Sequence, residues 1–210
     1  MKAPVLSIVV PCYNEQDVFS LCLKELSSAL VSMMDKGKID KTSHIVFVDD
    51  GSNDLTWNLI KEESNTNSLV KGVKLSRNKG HQTALMAGLS SCITSDITVS
   101  IDADLQDDTS IIEKMVDSYL SGHDIVYGVR NDRASDSFFK KFTAETFYKI
   151  MTNLGVSQVE NHADFRLLSK RALGRVRIST LRNENETFSQ LNSITYIGVF
   201  LRLVTYSHLP

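Results

Sequence analysis

Cysteine, proline and long apolar runs are all scarce in this chain, and each scarcity argues against a class of protein. The 210 residues include three cysteines and three prolines. Cys12, Cys22 and Cys92 are odd in number and lack metal-ligand spacing, which is typical of free thiols in a reducing compartment. No stretch approaches the roughly 18 apolar residues of a membrane span, and the first residues lack the apolar core of a signal peptide.

Repeats and linker-like composition are absent too, so the sequence predicts one domain. There is no internal repeat, no low-complexity run and no proline-rich linker. A chain of this length can bury a sizeable core. Hydrophobic residues make up 42% and charged residues 23% of the chain, as in an ordinary soluble globular protein.

Charge is unevenly distributed along the chain. Residues 1–129 contain 11 Lys and Arg against 18 Asp and Glu, whereas residues 130–182 contain 11 against 5. One interpretation is that both charged regions are ordinary solvent-exposed surfaces. The other is a basic surface that meets an anionic substrate or membrane lipid.

Short β-type runs alternate with helical patterns. Strands are predicted at residues 5–10, 45–48, 73–75, 97–101 and 125–127, and helices at 18–34, 54–60, 82–89 and 109–120. This alternation predicts an α/β fold with a mostly parallel sheet and helices on both faces. A further helix is predicted over 138–154, and its aromatic stripe either packs on the core or lies at a membrane surface.

Two closely spaced carboxylates follow the fourth predicted strand. Asp102 and Asp104 come directly after residues 97–101, and Asp107 and Asp108 follow them as loop and helix cap. In open α/β sheets, ligands bind at the carboxyl ends of the strands. Carboxylates this close repel one another unless a positive group joins them. The pattern therefore predicts a divalent cation that carries a phosphorylated substrate.

The ends of the first two predicted strands carry further binding groups. After the first strand, Pro11 ends the strand and Tyr13 offers a flat face on which a nucleobase could stack. After the second strand, Asp49 and Asp50 can accept hydrogen bonds from a base N–H or a ribose hydroxyl. Either Asn53 or Asp54, which follow them, is predicted to cap the next helix.

The loop after the third predicted strand is basic. Arg77 offers a cation to phosphates, and Gly80 permits close approach of the backbone. His81 has no partner at catalytic spacing nearby in the sequence and is predicted to be structural.

Taken together, these motifs resemble the family 2 glycosyltransferases of the GT-A fold. The resemblance is strongest to the polyprenyl-phosphate sugar transferases, which include dolichol-phosphate mannose synthases and bactoprenol glucosyltransferases. It spans residues 9 to about 173 and rests on the segments VVPCYNE, VDDGSND, LSRNKGHQTALMAGL, DADLQDD, YGVRNDR, FFKKFTAETFYKIM and ADFRLLSKRAL. It implies a nucleotide-diphospho-sugar transferase with a Rossmann-like, mostly parallel sheet.

The resemblance also assigns roles to individual residues. The implied nucleotide-binding set is Pro11, Tyr13, Glu15, Val48, Asp49, Asp50, Arg77, Gly80, Ala103 and Arg133. The implied ligands of Mg²⁺ or Mn²⁺ are Asp102, Asp104 and Gln106. The implied catalytic residues are Asp164, Asp104 and Arg130, with Arg130 and Arg133 on a mobile loop near the acceptor.

The implied reaction is inverting transfer of a hexose from a nucleotide sugar, and the resemblance favours glucose from UDP-glucose with undecaprenyl phosphate as acceptor. The reaction would modify O-antigen or another cell-surface polysaccharide. Because a lipid phosphate is already ionised at neutral pH, Asp164 is expected to orient groups more than to abstract a proton. A buried salt bridge between Asp164 and Arg166 is the alternative.

The last segment departs from the family. Gln190 stands where an arginine near the diphosphate is expected, and an amide cannot replace that charge. We therefore expect a catalytic domain over 1–180 and a divergent segment of the same domain over 181–210, without the transmembrane tail of bactoprenol enzymes. The chain would be either an excised catalytic domain or a shortened product, with its parent at the cytoplasmic face of the bacterial inner membrane.

Alternative functions remain open at this point. One is a nucleotide-sugar-binding remnant without turnover, and another is a transferase with a different acceptor. A haloacid dehalogenase-type phosphatase is disfavoured because Gln106 stands where that class requires threonine. A dehydrogenase is disfavoured because no glycine-rich turn follows the first strand. A membrane surface and a second copy of the chain are expected partners, and nucleic acid is not.

Overall fold

The computed structural model describes residues 2–129, 162–174 and 203–205. The predicted helix over 138–154 lies outside these residues, as do Arg130, Arg133 and Gln190. The boundary between 1–180 and 181–210 also falls outside them and stays a prediction.

Seven strands and four longer helices are described. The strands are β1 (Leu6–Cys12), β2 (His44–Asp49), β3 (Val70–Lys74), β4 (Ile97–Ser100), β5 (Ile125–Val129), β6 (His162–Ser169) and β7 (Leu203–Thr205). The helices are α1 (Gln16–Asp35), α2 (Thr56–Thr66), α3 (His81–Ser91) and α4 (Ile111–Leu120). Residues 170–174 are helical as well. All five predicted strands and all four predicted helices within this part of the chain are therefore present.

Two predicted boundaries are wrong by several residues. The second helix extends to Thr66 rather than 60, because its last turns are polar and gave no apolar signal. The third strand begins at Val70 rather than 73, because Lys71 and Gly72 interrupt the apolar pattern. β3 pairs only with β2 among the described strands, and an edge strand with one covered face tolerates such residues.

The described strands form one sheet in the order β3-β2-β1-β4-β6-β5-β7. β1 pairs in parallel with β2 and β4, and β2 pairs in parallel with β3. β6 runs antiparallel between β4 and β5, and β7 is parallel to β5. The α/β class and the mostly parallel pairing are confirmed. β6 was not predicted as a strand, and its insertion separates β4 from β5.

Helices cover both faces of the sheet, as predicted. Every residue of β1 is buried, which is typical of a central parallel strand. Alternate residues of the strands point to opposite faces, so Ile8 and Phe47 join one apolar cluster with α1, whereas Val9 joins a second cluster with α3. Helix α3 packs unusually close to the sheet: a Cβ on Gly88 would lie 2.4 Å from Val9 Cγ1.

The three cysteines are unpaired and buried, in agreement with their interpretation as free thiols. Burial is the main cause that raises the pKa of each thiol, and with the charges of Glu15 and Asp104 it raises that of Cys22 to about 12. Thiols held in the protonated form are poor nucleophiles and poor metal ligands. The cysteines therefore act as small apolar groups of the core.

A buried polar chain ties β1 to β2 at the amino-terminal edge of the sheet. Ser7 Oγ lies 3.1 Å from His44 Nε2 and 2.6 Å from Ser95 Oγ, and His44 Nδ1 lies 3.0 Å from the Thr42 carbonyl oxygen. Burial lowers the pKa of His44; the Thr42 carbonyl raises it and the charge of Lys71 lowers it further. Burial prevails, so His44 is held neutral.

This shift makes stability depend on pH. A histidine whose folded pKa lies below its unfolded value of about 6.5 binds the proton more tightly when unfolded. We expect the contribution of His44 to the free energy of unfolding to be constant above about pH 6.5. This contribution should decline as the pH falls below that value. Urea unfolding at pH 7.5 and 5.5 measures the effect. His44→Gln should shrink the difference between the two pH values, and an equal difference in both proteins would contradict this origin.

Candidate functional site

The parallel strands β1, β2 and β4 end at one edge of the sheet, and the loops that follow them surround a cleft of about 320 Å³. Its described lining consists of Pro11, Cys12, Tyr13, Glu15, Asp50, Asn78, Gly80, His81, Ala84, Asp102, Ala103 and Asp104. The sequence argument that acidic strand ends meet at one edge is therefore correct. Residues from the ends of three separate strands line the same space.

Asp50 fixes the loop that follows β3. Its side chain is 3% exposed, and its two oxygens accept hydrogen bonds from the backbone N–H groups of Lys79 (2.7 Å) and Gly80 (2.9 Å). Gly51 permits this arrangement, because a Cβ there would lie 2.5 Å from the backbone carbonyl carbon of Arg77. Gly51 also has a φ of 69°, which disfavours other residues. We call these joined segments, Asp50–Gly51 and residues 77–80, the Asp50 shelf.

The loops after β1 and β2 are interlocked by hydrogen bonds between side chains and backbone. Asn14 N–H donates to Ser52 Oγ (3.0 Å), and Asn53 N–H donates to Asn14 Oδ1 (2.9 Å). Asn14 has a φ of 56°, a conformation that asparagine tolerates better than most residues. Tyr13 precedes this turn, is 42% exposed and lines the cleft.

The same loops cap the helices that follow them. Asp54 accepts from Gln16 N–H at the start of α1 (3.2 Å) and from Thr56 N–H at the start of α2 (2.9 Å). Gln16 Oε1 in turn accepts from Leu55 N–H (3.0 Å). Burial raises the pKa of Asp54, but the hydrogen bonds from Thr56 and Gln16 lower it overall. The N-cap residue of α2 is Leu55 rather than the predicted Asn53 or Asp54, but Asp54 binds the first backbone N–H of both helices.

Asp104 is held by a neighbour on its own loop. Gln106 donates to it through its backbone N–H (3.2 Å) and its side-chain amide (2.7 Å). Leu105 between them has a φ of 54°, a strained conformation for a leucine. Strain of this kind is common where a loop is shaped for binding.

Asp102 is approached by a residue from another element. Nε2 of His81 lies 3.6 Å from Asp102 Oδ1, and the two side chains are 41% and 39% exposed. The sequence offers His81 no partner nearby, which agrees with a contact to a distant residue, and its structural role stays a prediction. The two residues are distant in the sequence, and only the packing of α3 against the sheet brings them together.

The described lining of the cleft is strongly acidic. Four of its side chains are carboxylic acids, and His81 is the only basic one among the described lining residues. Burial raises the pKa of Glu15, and the charges of Asp104, Asp54 and Asp102 raise it further. These acids therefore repel one another and favour a bound cation.

A Mg²⁺ or Mn²⁺ ion fits this chemistry. No group of three or more His, Cys, Asp or Glu side chains in the described part of the chain is close enough to hold a metal ion by itself. Mg²⁺ commonly binds through one or two carboxylates and completes its shell with substrate phosphates and water. Asp102 and Asp104 supply two hard oxygen donors in the cleft, with Gln106 bonded to Asp104.

Several residues implied by the resemblance lie outside the described lining. Val48 and Asp49 are buried at the end of β2, and Arg77 is exposed at the Asp50 shelf. Ser52 N–H donates to Asp49 Oδ1 (3.2 Å), whereas Oδ2 of Asp49 has no hydrogen-bond partner within the described residues. The small side chains of Cys12 and Ala84 give no chemical signal in the sequence, and the amide of Asn78 does not stand out within the basic loop.

Asp164 lies on β6 at the same edge of the sheet. Ser100 of β4 is paired with Arg166 of β6. Asp164 lies two residues before Arg166 on β6, and Ser100 is the last residue of β4, two residues before Asp102. Arg166 is buried, with 6% exposure, but the described residues do not include the Asp164 side chain, so the salt bridge between them stays a prediction.

The comparison with protein families is decisive for the class of enzyme. The family described as Glycosyl transferase family 2 matches residues 7–177. This chain belongs to that family. The family assignment made from the motifs is confirmed.

Curated relatives give further detail. The chain is 50% identical over 171 residues to the uncharacterized glycosyltransferase YkoT of Bacillus subtilis (strain 168), covering 81% of this chain and 51% of YkoT. It is 34% identical over 179 residues to the bactoprenol glucosyl transferase of Shigella phage SfX, covering 85% and 56% of the two chains. The chain spans about half the length of the curated relatives it matches.

Solved structures agree on the fold. The structure of S. aureus TarS 1-349 superposes with a TM-score of 0.58 over 97% of this chain and 58% of that fragment, at 18% identity. This likeness supports the GT-A fold. Within the described residues, no helix combines the length and hydropathy needed to cross a bilayer.

Proposed function

We propose that this glycosyltransferase transfers a hexose, with inversion, from a nucleotide sugar to a polyprenyl phosphate. The observation that supports it best is that Asp102 and Asp104 line the same cleft as the Asp50 shelf. That arrangement provides one wall for a cation and diphosphate and another for a nucleoside.

The donor would lie along the edge of the sheet. Tyr13 offers an aromatic face for the base, and the Asp50 shelf supports the nucleoside side of the cleft. Asp102 and Asp104, with Gln106, would hold Mg²⁺ or Mn²⁺, which neutralises charge on the diphosphate leaving group. Uridine and glucose are the proposed base and sugar, in line with the relatives named bactoprenol glucosyl transferases.

The reaction would then follow from charge neutralisation. A phosphate oxygen of the lipid attacks the anomeric carbon from the face opposite the diphosphate, and the bond from that carbon to the diphosphate oxygen breaks. The nucleoside diphosphate leaves with the electron pair, and no proton must be removed from an ionised phosphate. Asp164 would orient the acceptor; this proposal is supported by its place on β6, two residues before Arg166, which pairs with the last residue of β4.

The acceptor is proposed to be undecaprenyl phosphate. This proposal is supported by 32–36% identity to glycosyltransferases that include bactoprenol glucosyl transferases. Such an acceptor would place the reaction at a membrane surface, at the cytoplasmic face of the bacterial inner membrane, and in cell-surface polysaccharide modification. Association between copies of the chain is a further expectation.

A thermal-shift panel tests the donor. UDP, UDP-glucose, GDP and GDP-mannose are each added with and without Mn²⁺, since a ligand that binds only the folded state raises the melting temperature. We expect UDP-glucose to raise it, and more strongly with Mn²⁺. No shift with any nucleotide would contradict the proposal. Glucose transfer to undecaprenyl phosphate in vesicles tests the acceptor, and transfer to a soluble acceptor without lipid would support the alternative acceptor class.

A further inference from the structure

His81 lies between the Asp50 shelf and the Asp102 carboxylate. It is the first residue of α3, and the preceding Gly80 has a φ of 88° and donates its N–H to Asp50 Oδ2 (2.9 Å). The backbone at His81 is therefore anchored to the Asp50 shelf, while its Nε2 faces Asp102 Oδ1 at 3.6 Å. A movement of less than about 1 Å would bring the two atoms to hydrogen-bond distance.

Asp102 and Asp104, the two carboxylates proposed to hold the cation, have different neighbours. Gln106 holds Asp104 from the same loop with two hydrogen bonds. Asp102 is instead faced by the imidazole of His81, the only basic side chain among the described lining residues of the cleft. Asp104 is thus bound by a residue of its own loop, whereas Asp102 faces a residue of α3.

We infer that His81 is a positioning residue, which orients the Asp102 carboxylate toward the cation and diphosphate of the donor. This inference rests on the proposed function. A carboxylate has two oxygens, so one can face the imidazole while the other meets a cation. Groups that orient metal-binding side chains in this way typically change metal affinity by about 10- to 100-fold when they are removed.

Binding of UDP measured by calorimetry, with and without Mn²⁺, tests this role without relying on turnover. For His81→Ala we expect the gain in UDP affinity that Mn²⁺ provides to fall about 10-fold. UDP binding in the absence of metal should be unchanged, because the Asp50 shelf is intact. His81→Gln should recover most of the gain, since its amide N–H can still reach toward Asp102.

Two comparisons make the result decisive. Ser90→Ala, at the exposed far end of α3, should bind UDP and Mn²⁺ as the original chain does. If the original chain shows the metal-dependent gain and His81→Ala keeps all of it, the role of His81 is wrong but the proposed function stands. If the original chain binds no UDP with Mn²⁺, both are wrong. Equal losses in His81→Ala and His81→Gln would also overturn the positioning role.

Discussion

Replacement of Asp104 by asparagine is expected to lower glycosyl transfer by about 10²- to 10³-fold, the usual cost of losing one group that stabilises charge on a leaving group. The asparagine side chain lacks the negative charge that attracts a divalent cation. The gain in UDP affinity that Mn²⁺ provides should disappear with the activity. Steady-state transfer assays and UDP titrations with and without Mn²⁺ measure both effects.

The same change is expected to leave stability unchanged or to increase it. Glu15 is an acid whose folded pKa lies above its ordinary value of 4.5, through burial and then the charge of Asp104. The folded state thus binds that proton more tightly, and stability falls as the pH rises past 4.5. Removing the charge of Asp104 brings the pKa of Glu15 closer to its ordinary value. Less stability is then lost as the pH rises. Loss of activity without loss of stability is the expected mark of a binding residue.

Asp108→Asn provides the matched control. Asp108 lies on the same loop, and its Oδ1 accepts from Ser110 N–H (2.9 Å) ahead of α4. Asparagine can make the same hydrogen bond, so fold and activity should both be kept. If Asp108→Asn loses as much activity as Asp104→Asn, the acidic loop acts as a whole and the assignment to Asp104 is wrong.

The position of the acidic residues could be predicted from the sequence because it depends on local rules. A buried, β-branched run ends immediately before Asp102, and parallel strands place their carboxyl ends at one edge. The same reasoning placed Asp50 and Tyr13 at that edge. Residue type and spacing also placed an acid beside the start of α2, although Asp54 precedes the N-cap residue Leu55 by one position.

The contacts between segments could not be predicted in this way. Asp50 accepts hydrogen bonds from N–H groups 29 and 30 residues away, and His81 meets Asp102 only because α3 packs closely through Gly88. Backbone N–H groups are present at almost every residue, so the sequence cannot indicate which of them a buried carboxylate will bind. Strand β6 was missed because Arg166 interrupts its apolar run, although that arginine is buried in the structure.

Asp50→Asn is expected to have the largest effect on stability among the variants considered. An asparagine has one acceptor oxygen in place of two, and its NH₂ group would face a backbone N–H of Lys79 or Gly80. Loss of one hydrogen bond to a buried charged group costs about 1.5–3 kcal/mol, and the unpaired donor adds to this. We expect a loss of about 3 kcal/mol in the free energy of unfolding, measured by urea denaturation.

The Asp50 variant should also bind UDP at least tenfold more weakly, with or without Mn²⁺, because the shelf that supports the nucleoside would open. This pattern differs from that of Asp104→Asn, in which only the metal-dependent part is lost. Asp49→Asn is the matched control for stability: it is equally buried, but only one described N–H, that of Ser52, donates to it. Its cost should be smaller, since asparagine keeps that acceptor. If Asp49→Asn destabilises the protein as much as Asp50→Asn, the cost comes from removing any buried charge at this strand end, and the two hydrogen bonds to the shelf are not its cause.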